Sequence, residues 1–397
     1  MYISNLILSN YRNYTRLKLD FPAKPILLQG KNAQGKTNLL EAIYLLSTTT
    51  STYARKDDQL LNWHTMKEDV MPFARLEVTI VRHDETLQLA ITIIREYERF
   101  KKEIRLNGSK KRAMDVIGQL NTVMFVPEDI NLITGSPSTR RRYLDSVLCQ
   151  IDSEYCRSLS RYNKVVSQRN ALLKELNEGK RSIDQLIYWD EQLITHGSII
   201  IIRRHDALLT LATVAHQRHL DLTEESERLR LSYLPKVNPH GDSADEKQII
   251  PAPPIDDVQA TFKTQLLASR NDDIIRGMTL LGPHRDDFQF LIDGVDIAFY
   301  GSRGQQRTAI LSTKLAEVQL MKEKSGDTPV LLLDDVMSEL DSERRTQITT
   351  LTKLVDQSFL TATDWNDYDI TFRQNATCYT IQNGRLEHAQ FGEDIFN

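Results

Sequence analysis

The two pieces of one nucleotide site stand at opposite ends of this chain. Gly30-Lys31-Asn32-Ala33-Gln34-Gly35-Lys36-Thr37 fills every fixed position of the phosphate-loop pattern G-x-x-x-x-G-K-[ST]. Val330-Leu331-Leu332-Leu333-Asp334-Asp335 reads as a buried apolar strand with two acids at its tip. A fully apolar strand indicates burial on both faces, as at the centre of a parallel sheet. One site needs both pieces, so about 300 intervening residues must leave the fold and return to it.

Length supports the same picture, since 397 residues exceed one ordinary domain and suggest two or three. Apolar residues make up 40% of the chain, enough for a sizeable core. The net charge of −4 excludes a uniformly basic coat, so any nucleic-acid binding must rest on local patches. Cys149, Cys156 and Cys378 are an odd count without a C-x-x-C pair, which argues against a disulfide framework or structural zinc. The N-terminal stretch lacks a basic leader followed by an apolar core. The longest apolar run, Ile199 to Ile202, falls far short of the roughly 20 residues that span a bilayer. A cytoplasmic protein without a membrane partner is expected.

Up to about residue 120 the pattern alternates between strand and helix. Ile3 to Leu8, Leu17 to Phe21 and Ile26 to Leu28 read as strands, and Asn38 to Leu46 as a helix. Ala74 to Val81 and Leu87 to Ile94 alternate with period two, and Arg99 to Arg112 reads as a hairpin with Asn107-Gly108 at its tip. From Pro137 the period changes. Leu144, Leu148, Ile151, Tyr155, Leu159, Tyr162 and Val166 predict one long amphipathic helix. Ile183 to Leu211 predicts a second, with Gly197 as a soft point. Two helices of about 35 residues would each reach about 50 Å, too short for an extended coiled-coil arm, so a compact helical lobe is expected. Residues 236–256 are proline-rich and aperiodic, and read as a flexible surface excursion. The expected division is 1–130 and 281–397 for the two halves of an α/β nucleotide-binding lobe, with 131–280 as an inserted, mainly α-helical lobe.

Each motif has a physical role. Gly30 and Gly35 permit the tight backbone path that turns N–H groups onto phosphate oxygens, with Lys31, Asn32, Ala33 and Gln34 between them. The helix that follows, with Asn38 in its first turn, presents its positive end to the same charge. Lys36 is expected on the outer phosphates and the Thr37 hydroxyl on Mg²⁺. Asp334 is expected to hold Mg²⁺, and Asp335 to orient and deprotonate an attacking water. Ser302-Arg303-Gly304-Gln305-Gln306 opens a helix 32 residues before Asp334, with Ser302 as N-cap and free N–H groups as an anion site. In ABC-type ATPases a motif of this kind contacts the γ-phosphate bound by the opposite protomer. Ser302, Gly304 and Gln305 are therefore nucleotide-site candidates for a second copy. Ser338-Glu339-Leu340-Asp341 resembles the short loop that signals between the two sites.

With these residues assembled, the chain resembles the RecF family, ABC-type ATPases of bacterial recombinational repair related to SMC and Rad50 heads. Further support comes from Asn10 to Tyr14, Gly30 to Glu41, Pro127 to Asp129, Arg140 to Asp145, Gln168 to Lys174 and Gly282 to Asp287. The resemblance implies an α/β, ABC-type (P-loop) ATPase head with mixed sheets plus an inserted mainly α-helical lobe. It implies ATP and Mg²⁺ as cofactors, Arg12 near the nucleotide, and an ATP-dependent homodimer that binds double-stranded DNA and duplex beside single-stranded gaps. RecO and RecR are the implied partners, with slow, DNA-dependent hydrolysis as a binding switch, recombinase loading and a link to the SOS response. The chain departs from the SMC pattern at Val126-Pro127-Glu128-Asp129, where relatives carry a sensor Gln; Glu128 is the candidate there. The switch His of transporter ATPases is absent from Phe359 to Asp364, with Thr363 nearby, and Ser47 to Asp58 matches only loosely.

Arg99 to Arg112 holds seven basic residues against one acid. The segment reads equally as a phosphate-binding ridge, through Lys101, Lys102, Arg105, Lys110, Lys111 and Arg112, or as a solvated edge hairpin. Arg140, Arg141 and Arg142 are a second candidate, because cations at a helix N-terminus oppose its dipole and suggest an external anion. His284 has no second His at ligand spacing, so bracing of the nucleotide site is expected of it rather than metal binding. Competing classes are a nuclease, which lacks a separate acidic metal cluster, and a transporter motor, opposed by the divergent Ser302 loop. An SMC-like structural protein would need longer helices.

Overall fold

Alternating apolar residues early in the chain bury one face of an antiparallel sheet, while the continuous apolar runs collect in a second, mostly parallel one. The computed structural model describes residues 1–83, 85–97, 99–239, 251–337 and 342–389, without the side chains of 68 and 342–344. The Ser338 to Asp341 loop and most of the proline-rich excursion lie outside the described residues. The chain forms two units, Met1–Asp129 with Met321–Asn397, and Ile130–Leu320. Residues 281–320, expected with the nucleotide-binding lobe, belong to the second unit.

Unit 1 begins with β1 (Tyr2–Tyr11), β2 (Tyr14–Asp20), β3 (Pro25–Gln29), α1 (Lys36–Thr48) and α2 (Trp63–Glu68). It continues with β4 (Phe73–Arg82), β5 (Glu85–Glu96), β6 (Arg99–Leu106), β7 (Ser109–Lys111) and β8 (Thr122–Phe125). Unit 2 holds α3 (Asn131–Thr134), α4 (Pro137–Ile151), α5 (Ser153–Asn177), α6 (Leu186–Leu222) and β9 (Leu229–Leu234). It then adds α7 (Ile255–Ala268), α8 (Arg270–Arg276), β10 (Asp287–Ile292), β11 (Val295–Asp296) and the start of α9 (Arg303–Ser325). Unit 1 resumes with β12 (Val330–Leu333), α10 (Ser342–Thr352), β13 (Ser358–Ala362), α11 (Ile370–Asn375), β14 (Thr377–Gln382) and β15 (Arg385–His388).

One sheet of unit 1 runs β2-β1-β4-β5-β6-β7, and the other β15-β14-β3-β13-β12-β8. In the second, β14, β3, β13, β12 and β8 are mutually parallel, as the unbroken apolar runs require. Leu6, Leu8, Ile43, Ile91 and Leu332 are all fully buried in one core that both ends of the chain supply. The Asn107-Gly108 tip turns with φ of 49° and 77°, the left-handed pair that a two-residue hairpin demands.

Unit 2 pairs its helices with a three-stranded sheet ordered β11-β10-β9. The expected single helix from Pro137 is broken at Asp152, whose carboxylate accepts from the N–H groups of Glu154 and Tyr155 and caps α5. The apolar period runs through the break unchanged, so periodicity alone could not locate it. Gly197 is not a soft point. It lies inside the continuous α6, where an added Cβ would come within 2.7 Å of Phe262 Cε1. The fully buried Arg169 of α5 donates to Asp190 at 2.8 Å, Asp273 at 2.7 Å and the Thr279 hydroxyl at 2.9 Å. A buried cation is tolerable only with such partners, and here they tie α5 to α6 and α8. No helix among the described residues is long and apolar enough to cross a membrane.

Candidate functional site

The phosphate loop leaves β3 at Gly30, where a Cβ would press within 2.6 Å of the Ile381 carbonyl oxygen. Lys31, Asn32 and Ala33 are exposed, Gln34 is half-buried, and Gly35 sits at φ 116° as the N-cap of α1. A side chain at Gly35 would also meet Asn13 Nδ2 at 2.6 Å, so glycine is needed there for both conformation and space. The loop is strapped from outside. Tyr14 donates its hydroxyl to the Gly35 carbonyl at 2.8 Å, and Asn13 Nδ2 donates to the Gln34 carbonyl at 2.9 Å. Asn38 Nδ2 donates to Asn13 Oδ1 at 2.8 Å, and the N–H groups of Asn383 and Gly384 reach Gln34 Oε1 and O. Lys36 is buried, with its ammonium on the carbonyls of Gly30 and Lys31. Burial lowers its pKa, and the nearby Asp335 and Asp334 carboxylates oppose that shift.

The acid pair reaches the same place by way of β13, which lies between β3 and β12. The Thr361 hydroxyl donates to Asp334 Oδ1 at 3.1 Å and accepts from the Asp335 N–H at 2.8 Å. Asp334 also hydrogen-bonds the Thr37 hydroxyl, so the last residue of the loop motif meets the acid strand directly. Burial raises the Asp334 pKa, the two threonine hydroxyls lower it, and Asp335 raises it again. Asp335 adopts φ 49°, which turns it out of the strand path. A hydroxyl and a carboxylate in contact are hard oxygen donors that suit Mg²⁺, an ion usually held by one or two carboxylates plus substrate phosphates. No cluster of three or more His, Cys, Asp or Glu side chains able to hold a metal occurs among the described residues.

Sequence reasoning missed Thr361, Asn13, Tyr14 and Tyr53. Within Asn10 to Tyr14, the resemblance points to Arg12. Its guanidinium is already engaged, with Nη2 to Glu41 Oε1 at 2.7 Å, Nε to Glu41 Oε2 at 2.9 Å and Nη1 to the Gln59 carbonyl at 2.8 Å. Arg12 thus holds the buried Glu41 of α1, while its neighbours hold the loop. The loosely matching stretch after Ser47 brings Ser51 onto Glu41. It also brings Tyr53 close enough to Asp334 and Glu128 that burial first, then these acids, push its pKa up.

In unit 2 the Ser302 loop starts α9 with a reciprocal pair of bonds. The Gln305 N–H donates to Ser302 Oγ at 3.1 Å, and the Ser302 N–H donates to Gln305 Oε1 at 2.9 Å. This is the capping-box arrangement, and it leaves the Ser302 O–H free to point outward. Ser302, Arg303 and Gly304 are exposed. A Cβ on Gly304 would meet nothing nearer than Ser302 Oγ at 3.8 Å, so nothing within the unit requires glycine there. The Gln305 amide nitrogen is already committed to Glu227 at 2.9 Å.

The structure also sorts the basic candidates. In the hairpin of unit 1, Lys101 pairs with Glu96, Lys102 with Asp57, Arg105 and Lys110 with Glu103, and Arg112 with Asp115. Lys111 is exposed without an ion pair among the described residues. In unit 2, Arg140 makes a bidentate pair with Asp287 at 2.7 and 2.9 Å, and Arg141 donates to the Asp286 carbonyl at 2.6 Å. Arg142 is exposed and unpaired among the described residues. Of the cations at the start of α4, Arg140 therefore finds its anion within its own unit and Arg141 a backbone carbonyl. His284 braces unit 2 rather than the phosphate loop. Its Nε2 lies 3.0 Å from the Thr279 carbonyl, which can only accept, so Nδ1 receives the Tyr162 hydroxyl at 2.7 Å.

Parallel strands that deliver a phosphate loop and an acid pair to one edge, sharing a core with an antiparallel sheet, define the ABC-type ATPase head. Known proteins bear this out. The family model for the RecF/RecN/SMC N terminal domain matches residues 2–382. The DNA replication and repair protein RecF of Roseiflexus castenholzii is 40% identical, over 97% of this chain and 99% of its own length. That of Halothermothrix orenii is 37% identical, over 97% and 98%. Solved structures of the recombination mediator protein RecF of the RecFOR pathway, as RecF-ATPrS and RecF-ATP, superpose with TM-score 0.83 at 34% identity. They cover 98% of this chain and 98–99% of their own. An Smc head domain from Pyrococcus furiosus shares the fold at TM-score 0.52 and 14% identity. The chain belongs to the RecF family and is a DNA replication and repair protein.

Proposed function

We propose that this chain is an ATP-switched, DNA-binding dimer of recombinational repair, acting in the cytoplasm at double-stranded and gapped DNA. Gly30 to Asn38 binds the ATP phosphates, Lys36 neutralises the outer ones, and Thr37 with Asp334 holds Mg²⁺, which supplies charge neutralisation between the phosphates. Asp335 orients and deprotonates the attacking water, and Ser302 and Gly304 close the site of a second copy. Slow, DNA-dependent hydrolysis releases the two copies, and the dimer assists recombinase loading with RecR and RecO and supports SOS induction.

Gly304 is the observation that carries this reading. A glycine in a helical turn costs about 1 kcal/mol relative to Ala, and nothing inside the unit repays it. A close approach from outside does, and the outward Ser302 hydroxyl and first-turn N–H groups suit an anion. Sedimentation with and without ATP tests it. Wild type dimerises with ATP, whereas Ser302→Arg and Gly304→Ala stay monomeric without losing thermal stability, and Lys36→Arg separates nucleotide binding from dimer formation. A wild type that remains monomeric in all conditions overturns the mechanism.

A further inference from the structure

We propose that Glu227 is a positioning residue for the Ser302 loop, acting through the side chain of Gln305. The inference rests on reading that loop as the edge that meets a second copy's nucleotide. Glu227 lies in the short connection between α6 and β9, outside every motif visible in the sequence. Its Oε1 accepts Gln305 Nε2 at 2.9 Å, and its Oε2 lies 3.2 Å from His219 Nε2. His219 is fully buried in α6, and its Nδ1 lies 3.3 Å from the hydroxyl of Ser312, two turns further along α9.

The chemistry of these groups fixes their orientation. A carboxylate only accepts, so the Gln305 amide must turn its nitrogen to Glu227 and its oxygen to the Ser302 N–H. That oxygen completes the reciprocal cap, and the cap in turn uses the Ser302 oxygen as acceptor and leaves its proton outward. His219 Nε2 must likewise carry the proton that faces Glu227. Burial lowers the His219 pKa against the raising effect of Glu227, and the Ser312 hydroxyl, which donates to the Thr308 carbonyl at 2.8 Å, turns its oxygen towards Nδ1. Glu227 therefore sets which way Gln305 points, and His219 braces its other carboxylate oxygen. Without the carboxylate the amide is free to turn over, which would place its N–H₂ against the Ser302 N–H and open the cap.

The two copies would then meet with the Ser302 hydroxyl and the first-turn N–H groups no longer held in register. The side chain of Glu227 is 24% exposed, so its removal leaves no large cavity. The test compares Glu227→Ala, Glu227→Gln and Glu227→Lys in the full-length chain, with ATP and Mg²⁺ as the probe. Dimer affinity is read by sedimentation, single-chain ATP binding by a fluorescent ATP analogue, and folding by melting temperature. Loss of one charge-assisted hydrogen bond predicts about tenfold weaker dimerisation for Glu227→Ala. ATP binding by the single chain and the melting temperature should stay near wild type.

Glu227→Gln should recover most of the loss, because its amide oxygen still accepts from Gln305 while its nitrogen faces a His219 of the other tautomer. Glu227→Lys, which offers only donors, should be the weakest dimer. Dimerisation of Glu227→Ala at wild-type affinity overturns the proposal. Equal loss in Glu227→Ala and Glu227→Gln also overturns it, since charge rather than orientation would then matter, and so does a parallel loss of ATP binding and thermal stability. A wild type that does not dimerise with ATP removes the loop's assigned role, and that outcome is read separately from the Glu227 variants.

Discussion

At the scale of single residues, His284 gives the sharpest expectation. Burial is the main cause that pushes its pKa down to about 4, and the neutral ring bridges Tyr162 and the Thr279 carbonyl. An ordinary histidine titrates near 6.5, so between about pH 6.5 and 4 the unfolded chain takes up a proton that the folded one refuses. The stabilisation is complete above pH 6.5 and is lost as pH falls toward 4. A shift of this size corresponds to about 3 kcal/mol. Melting curves of wild type should drop between pH 7 and 5 more steeply than those of His284→Gln, and parallel curves would remove His284 as the cause. The phosphate loop was legible in the sequence because its backbone path admits few residue types. Thr361 was not, because a hydroxyl on a neighbouring strand carries no spacing rule. Asn13 and Tyr14 flank a charged residue that suits a nucleotide by itself, and their bonds to the loop follow no spacing rule.

Among elements, period and turn chemistry revealed most strands and helices, and the misreadings have a common cause. The α4–α5 junction keeps the apolar stripe in phase, so only the Asp152 cap marks it. Gly197 looked permissive in sequence, yet its lack of a side chain lets α7 lie close to α6 through Phe262. Overpacking a tight contact costs about 1–3 kcal/mol. Gly197→Val should therefore lower unfolding free energy by about that amount in denaturant titration, despite the higher helix propensity of the new residue. A neutral or stabilising result would show that α7 yields freely. Glu227 illustrates the limit from another side: it sits in a connection with no pattern, and only its partners reveal it.

For the whole molecule, the charge of −4 makes DNA binding a matter of which cations remain uncommitted. Counting seven basic residues in the hairpin segment overstated its field, because carboxylates from the hairpin and beyond it pair with most of them. Lys111→Ala and Arg142→Ala should each weaken binding to duplex DNA without regard to sequence, and each should reduce the salt slope by about 0.9 per lost phosphate contact. Arg140→Ala should instead lower the melting temperature, since it strands Asp287. Anisotropy titrations over a salt series, with melting curves beside them, distinguish the two kinds of arginine; a slope unchanged in Lys111→Ala and Arg142→Ala would move the DNA elsewhere.

The second unit extends to Leu320, because β9 pairs with β10 across an aperiodic stretch that hides their partnership. Unit 1 has the opposite history, for its core draws on both ends of the chain, and the Ile3 N–H donates to Gln357 Oε1 at 2.8 Å. A ribosome delivers these partners last. Until β12, β13 and β14 emerge, β3 waits with both edges unfilled and β8 without its partner, whereas residues 130–320 can settle as soon as they appear. Nascent chains halted before residue 330 should therefore recruit chaperones at their oldest segment, and the ability to hold a triphosphate would arrive only as translation ends.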